Sequence, residues 1–332
     1  MRNLFLTATE AAALISSGAT LFAAASAKTL TRLPKGRWIG GSTPYFMTGA
    51  GGLIDHDRVF CTVLDEAKNA RSELVAPSEL RRVTAGRYSN GFSYALIPAF
   101  SEVHQRYALE ANDLPDLYAQ PVIGWIAGID LADLGKAKPL VVDGFTGTSH
   151  ENAVAVMHVE LKPGLYAEPD IINLATADEA TTIIFPETGF AASTCTINGV
   201  PQNLAAWVRA QGIDTALPLV SSYAGAMVNV SFQAVHDATV DFYAPVIAGR
   251  AYHLAKKVGD YPTAYGALCR AQSPQTKDGA MFSFNCILNY LYGALEGKTT
   301  GGFVGPVTFG EVAYILLNQT LVRLDIKSEA DL

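Results

Sequence analysis

The residues most able to do chemistry sit late in the chain, in "GGFVGPVTFGEVAYILLNQTLVRL", Gly301 to Leu324. Four glycines (Gly301, Gly302, Gly305 and Gly310) lead into an apolar run. Glycine turns ahead of a helix often cradle phosphates. A GxxxxGK[ST] loop, however, needs a lysine for the phosphates and a hydroxyl for magnesium. Here Gly310 is followed by Glu311, a negative charge where the anion would sit, and GxGxxG is absent as well. The glycines at 40–41 and 49–52 also lack a lysine, which leaves tight turns packed beside strands.

Glu311 has two readings. Thr308 precedes it at capping-box spacing, so the pair would open a helix over "EVAYILLNQ". Alternatively, Glu311 faces a ligand amine or cation. Asn318 and Gln319 end the apolar run. Buried amides must be hydrogen-bonded, so these two either hold a neighbouring loop or line a pocket.

No GxSxG elbow and no HExxH pair is present. The six histidines (His56, His104, His150, His158, His236 and His253) show no i, i+4 ligand spacing. "DHD" at 55–57 reads as a solvated turn, because neighbours on a strand point to opposite faces. The four cysteines, Cys61, Cys195, Cys269 and Cys286, match no CxxC or zinc spacing. They read as reduced core residues of a cytoplasmic chain. Cys286, in "SFNCILNY", is the best-placed nucleophile. That role needs a spatially close histidine, with Glu311 as acid or base, and a depressed thiol pKa with fast alkylation of Cys286. The competing reading is a core thiol.

These residues must be positioned by a well-buried chain. It has 332 residues, 49% hydrophobic and only 17% charged, which excludes compositional disorder. A net charge of -7 argues against nucleic acid or an anionic membrane as partner. No run approaches the length of a membrane span. At the N-terminus, Thr7 and Glu10 have capping-box spacing and Gly18 is placed to end a helix over 8–17, which argues against a signal peptide.

"ATLFAAASAKTLTRLPKG" reads as strand then helix, and "DRVFCTVLDEA" as a strand. "SELVAPSELRRVTAG" and "PAFSEVHQRYALEAN" carry helix signals. "STCTINGVPQNLAAWVRAQGID" reads as a strand, an Asn-Gly turn and an amphipathic helix capped by Gly212. "TVDFYAPVIAG" reads as a strand and "RAYHLAKKVGDYPTAYGAL" as helix and turn, while "AMFSFNCILNYLYGAL" fits either state. Closely spaced strands such as those in "PLVVDGFTGTSHENAVAVMHVEL" rule out βαβ crossovers throughout. The expected fold is α+β, two related lobes with mixed or antiparallel sheets flanked by helices. Pro163-Gly164 and Glu168-Pro169 mark the boundary between lobes at 1–165 and 166–332.

Taken together, "FSFNCILNYLYG" and "GPVTFGEVAYILLNQTLVRL" resemble the end of a FIST domain, with its Cys-containing strand, glycine-rich loop and "TFGEI"-like segment. "INGVPQNLAAWVRAQGID", "VDFYAPVIAGRAYHLA", "WIGGSTPYFM", "PVIGWIAGID" and "VVDGFTG" are similar to further segments of that family, so the likeness covers about 18 to 325. Asn289 and Tyr290 stand where the family often has an arginine after the cysteine.

The resemblance implies a stand-alone bacterial, cytoplasmic small-ligand sensory module, with an amino acid as one suggested ligand. Its output would be a signalling partner protein or self-assembly. The pocket would draw Ser42, Thr43 and Tyr45 from the first lobe and Thr308, Glu311, Asn318 and Gln319 from the second. Some relatives bind haem. That variant needs an axial ligand, for which His236 and His253 are the candidates.

Overall fold

The computed structural model describes residues 1–223, 226–273 and 280–331. The fold is α+β, with mixed and antiparallel sheets flanked by a few short helices. Several local signals act as their chemistry dictates. The helix Ala8–Ser16 opens on a reciprocal Thr7–Glu10 capping box and is followed by Gly18 at φ 88. The helix Leu204–Gln211 starts on Asn203 and ends on Gly212 at φ 58, and it buries Leu204 and Val208.

Three large sheets form the body. In each, two parallel strands are joined by a segment containing a helix. Leu21–Ala25 pairs with Trp38–Ser42 around the helix Ala27–Leu30. Gly91–Pro98 pairs with Val122–Ala127 around Glu102–Glu110. Ala280–Cys286 pairs with Gly305–Thr308 around Ile287–Tyr292. Antiparallel strands complete each sheet. The remaining two sheets use only strands lying between 177 and 255, so that segment forms a unit of its own.

The division expected at 165/166 falls at the start of the strand Leu165–Ile172. Strands from both sides of it share two sheets. Glu311–Ala313 pairs with Val122–Ala127, and Gly305–Thr308 pairs with Tyr45–Thr48. One apolar cluster joins the body to the 177–255 unit, bringing Val103 and Tyr107 together with Phe185, Phe242 and Val246.

Three helical expectations are corrected. "EVAYILLNQ" is a hairpin of Glu311–Ala313 and Ile315–Leu317, turning at Tyr314 with φ 65. A ladder on Val122–Ala127 offers its backbone more than an isolated helix would. "RAYHLAKK" is the strand Ala251–Ala255, and the helix starts only at Tyr261, capped by Asp260. In "SELVAPSELRRVTAG" the first part belongs to the strand Ala67–Val75, with a 3-10 stretch at Pro77–Thr84.

The glycine-rich run serves close packing. Gly305 has φ 157, and a Cβ there would lie 1.9 Å from the Ser283 carbonyl oxygen. Gly310, at φ 142, sits 3.1 Å from the Leu317 oxygen by the same measure. A side chain at 305 would push the strands apart, and one at 310 would be strained by its positive φ.

Candidate functional site

Cys286 is the last residue of its strand and the N-cap of the helix Ile287–Tyr292. Two threonines bracket it. Thr308 is its register partner on the parallel strand, and the Thr320 carbonyl accepts the Cys286 N–H at 3.0 Å. The same two threonines hold Glu311. The Thr308 hydroxyl meets Oε1 at 2.9 Å, while the Thr320 hydroxyl and N–H donate to Oε2 at 2.7 and 3.3 Å. The Glu311 carboxyl therefore lies beside the Cys286 thiol, completely buried.

Burial pushes the Glu311 carboxyl up to about 8, against the opposing pull of the threonine hydrogen bonds. The network suits the protonated acid. Its O–H can donate to the Thr308 hydroxyl, which in turn reaches the Asn285 carbonyl at 3.2 Å. Burial first, and then the Glu311 charge, raise the Cys286 thiol well above its ordinary range, the reverse of the depressed thiol that the nucleophile reading requires. The nearby Leu288 and Gln319 N–H groups oppose this.

Cys286 also borders a cavity of about 260 Å³. The cavity lies between the body, which contributes Phe100, His104 and Phe309, and the 177–255 unit, which contributes Phe190, Phe242 and Tyr243. Domain junctions are favoured places for ligand sites. None of its described lining residues carries a formal charge at neutral pH. At the mouth stand Phe100, Leu134, Tyr243 and Leu291, all of them exposed large apolar side chains. Phe100 holds φ 61, a conformation that costs a bulky residue energy and recurs at functional rims.

Two buried polar atoms on the lining have no partner: Asn318 Nδ2 and His104 Nε2. Burial lowers His104 to about 4, so the ring is neutral near pH 7. Asn318 is fixed by its other end, since Oδ1 accepts from the Ser231 hydroxyl at 2.6 Å and the Ser231 N–H at 3.1 Å. Gln319, at φ 56, has its Oε1 2.7 Å from the same hydroxyl, so the two amide oxygens share its single proton, and it donates to the Ala216 carbonyl at 2.8 Å. The two amides thus clamp the 177–255 unit onto the body. Of the two readings open for them, Gln319 takes the first and Asn318 takes both.

The other expected site residues lie elsewhere. Ser42 donates to the Gly128 carbonyl at 2.8 Å and receives the Leu140 N–H. Thr43 donates to the Val307 carbonyl at 2.7 Å, which ties the two glycine-rich stretches together. Tyr45 bonds Asp130 at 3.2 Å and receives the Leu131 N–H. None of these three lines the cavity. Thr308 and Glu311 stand behind Cys286, out of reach of a ligand amine. His236 pairs with Asp241 at 2.9 Å, and His253 is bonded to the Thr181 carbonyl at 2.9 Å. Neither borders the cavity. Among the described residues no cluster of three His, Cys, Asp or Glu could hold a metal ion.

Sequence reading passed over His104, Thr320 and Ser231. Thr320 directly follows the two amides, and a polar triplet closing an apolar run was its signal. Ser231 is 87 residues from Asn318, and nothing local announces that contact.

A family model described as a family of unknown function, DUF6976, matches residues 6–327. No curated protein sequence matches the chain. Among the described residues no helix is long and apolar enough to cross a membrane.

Proposed function

The chain belongs to the DUF6976 family of unknown function, and we propose from its site that it binds a small, uncharged organic ligand bearing a carbonyl group. The observation that carries this reading is the Asn318 amide. A buried N–H donor without a partner costs about 1–3 kcal/mol, and Asn318, whose Nδ2 bears that cost, is one of the residues lining the cavity. A ligand carbonyl would complete it. An engineered apolar cavity of about 150 Å³ takes up benzene, so about 260 Å³ has room for something larger. An amino acid would bring two charges against a lining that offers none, so it suits the cavity less well than an amide or an ester.

The FIST-like sensory role fits this proposal in one respect, since the site joins two units whose packing a ligand could tighten. Under that reading occupancy would be passed to a partner protein or to a second copy. Haem has less support, because His236 and His253 are engaged away from the cavity. Four cysteines, all unpaired, favour a cytoplasmic location.

A thermal-shift series with benzamide, hexanamide and methyl benzoate tests the reading. At least one is expected to raise the melting temperature in the parent protein, and to fail in a variant with Leu134→Glu at the rim. No shift with any of them, or shifts untouched by Leu134→Glu, would remove the cavity as a ligand site.

A further inference from the structure

We propose that the cavity ligand carries a polar arm, which leaves the chamber past Phe100 and Leu134 and lies in the open groove beside it. This rests on the ligand reading above and extends it from a small compound to an amphipathic amide or ester, with an apolar acyl end and an uncharged, hydrogen-bonding tail. The observation that carries it is a shared wall. The chamber of about 260 Å³ and a groove of about 650 Å³ are both lined by Ala99, Phe100 and Leu134. A molecule that fills the chamber and continues past these three residues enters the groove.

The shared wall is thin. Ala99 is buried and brings only a methyl group. Phe100 and Leu134 are 56% and 47% exposed, so they stand up at the junction without sealing it. Phe100 is held at φ 61, and its ring meets Phe309 of the chamber edge-on at 6.0 Å. That backbone conformation is costly for an aromatic residue, and it sets the ring at the boundary between the two spaces. Leu134 is followed by Gly135 at φ 77, where the chain turns from the chamber rim into the groove wall at 135–139.

The two spaces differ in chemistry, and the difference gives the ligand its polarity. The described chamber lining has no formal charge at neutral pH, so it takes the apolar end. The groove adds Ser101, Lys136, Lys138, Glu151 and Asn152. Ser101 and Asn152 are spent on the start of the helix Glu102–Glu110. The Ser101 hydroxyl accepts the His104 N–H at 3.2 Å, and Asn152 Oδ1 accepts the Val103 N–H at 2.9 Å. The lysines keep capacity to spare. Lys136 donates to the Ala132 carbonyl at 3.2 Å, one bond from a group with three donors. Lys138 meets Glu151 at 3.5 Å, with side chains 77% and 55% exposed, and so exposed a pair holds weakly. A ligand ether or hydroxyl oxygen can take these ammonium protons. An uncharged tail suits the groove better than an ion, because Glu151 and, beside Asn152 at 3.5 Å, Glu102 offset the two lysines.

The test compares benzamide with benzamide bearing a triethylene glycol arm on its nitrogen, by isothermal titration calorimetry on the full chain. The armed compound is expected to bind about tenfold tighter, since each added atom contributes while the flexible arm must be ordered. Ala137→Trp, at an exposed position on the groove wall, should fill the groove, remove this gain and leave the affinity for benzamide unchanged. Lys138→Trp serves the same purpose if Ala137→Trp does not fold. Equal affinities in the parent, or a gain that survives the filled groove, would overturn the arm and spare the chamber. No binding of either compound would sink the chamber reading with it.

Discussion

Two of the strand–helix–strand units cap their helices in opposite ways. In the first sheet, Ser26 stands at the N-cap and its hydroxyl accepts the Thr29 N–H. In the unit that ends the chain, Cys286 occupies the equivalent place and makes no side-chain cap bond. The intermediate unit agrees with the first, since Ser101 caps Glu102–Glu110 by accepting the His104 N–H. Serine is among the best N-cap residues, so the position that breaks the rule is under another demand. Its surroundings say which. Ser26 turns to the His56 carbonyl at 2.6 Å near the surface, whereas Cys286 has the Glu311 carboxyl beside it and borders a cavity. Local departures from good structural chemistry concentrate at functional sites.

The sharpest way to break the contrast is Cys286→Ser. It should abolish alkylation at 286 completely. Because serine can cap the helix, stability should hold or rise by up to about 1 kcal/mol, measured by thermal unfolding. A large loss of stability would make Cys286 a packing thiol like Cys61, whose thiol burial pushes up to about 12.

A second test follows the proton. Glu311 titrates near 8 in the fold and near 4.5 when unfolded. The folded state therefore holds the extra proton between these values. This contribution is fully present below about pH 4.5 and is lost as pH rises to about 8. Melting temperature followed from pH 5 to 8 should fall in the parent relative to Glu311→Gln, which has no carboxyl to ionise. The buried imidazoles act oppositely. His104 and His158 are both lowered to about 4, so their share is lost as pH falls below about 6.5. Parallel pH curves for the parent and Glu311→Gln would mean that the carboxyl is not buried as described.

Ser231→Ala probes the clamp. It strips one hydroxyl from both Asn318 and Gln319. The expected cost is about 1–3 kcal/mol in denaturant unfolding, because buried acceptors lose a donor, together with weaker binding of the carbonyl ligands. Smallest is Ser26→Ala, at about 1 kcal/mol with unchanged thiol reactivity. Equal effects of Ser26→Ala and Cys286→Ser on reactivity would erase the comparison.

Much of the architecture was legible where local chemistry decides it. The Thr7–Glu10 box, Gly212 and the Asn198-Gly199 turn each carry their own signal. The hairpin after Gly310 was not legible. The Thr308–Glu311 spacing is real and the two side chains do meet, but the contact joins a strand end to a hairpin rather than opening a helix. Spacing alone does not reveal which backbone lies alongside, and here Val122–Ala127 supplied the ladder. The site was half legible for the same reason. Cys286, Glu311 and Asn318 lie within 33 residues and stand out by type. Ser42, Thr43 and Tyr45 look equally polar, yet their hydroxyls are spent on backbone and on Asp130 across the sheets. Only the fold shows which polar atoms are left without partners.

Alkylation by iodoacetamide across pH 6 to 10, with peptide mapping of all four cysteines, tests the central claim most directly. The account predicts that Cys286 reacts ahead of Cys61, Cys195 and Cys269 because it alone of the four borders the described cavity, even though burial and the Glu311 charge hold its thiol well above the ordinary range. Because the Glu311 charge raises the thiol, the rise of its rate with pH should move to lower pH in Glu311→Gln. A Cys286 no faster than the other three, or a pH profile identical in Glu311→Gln, would contradict it.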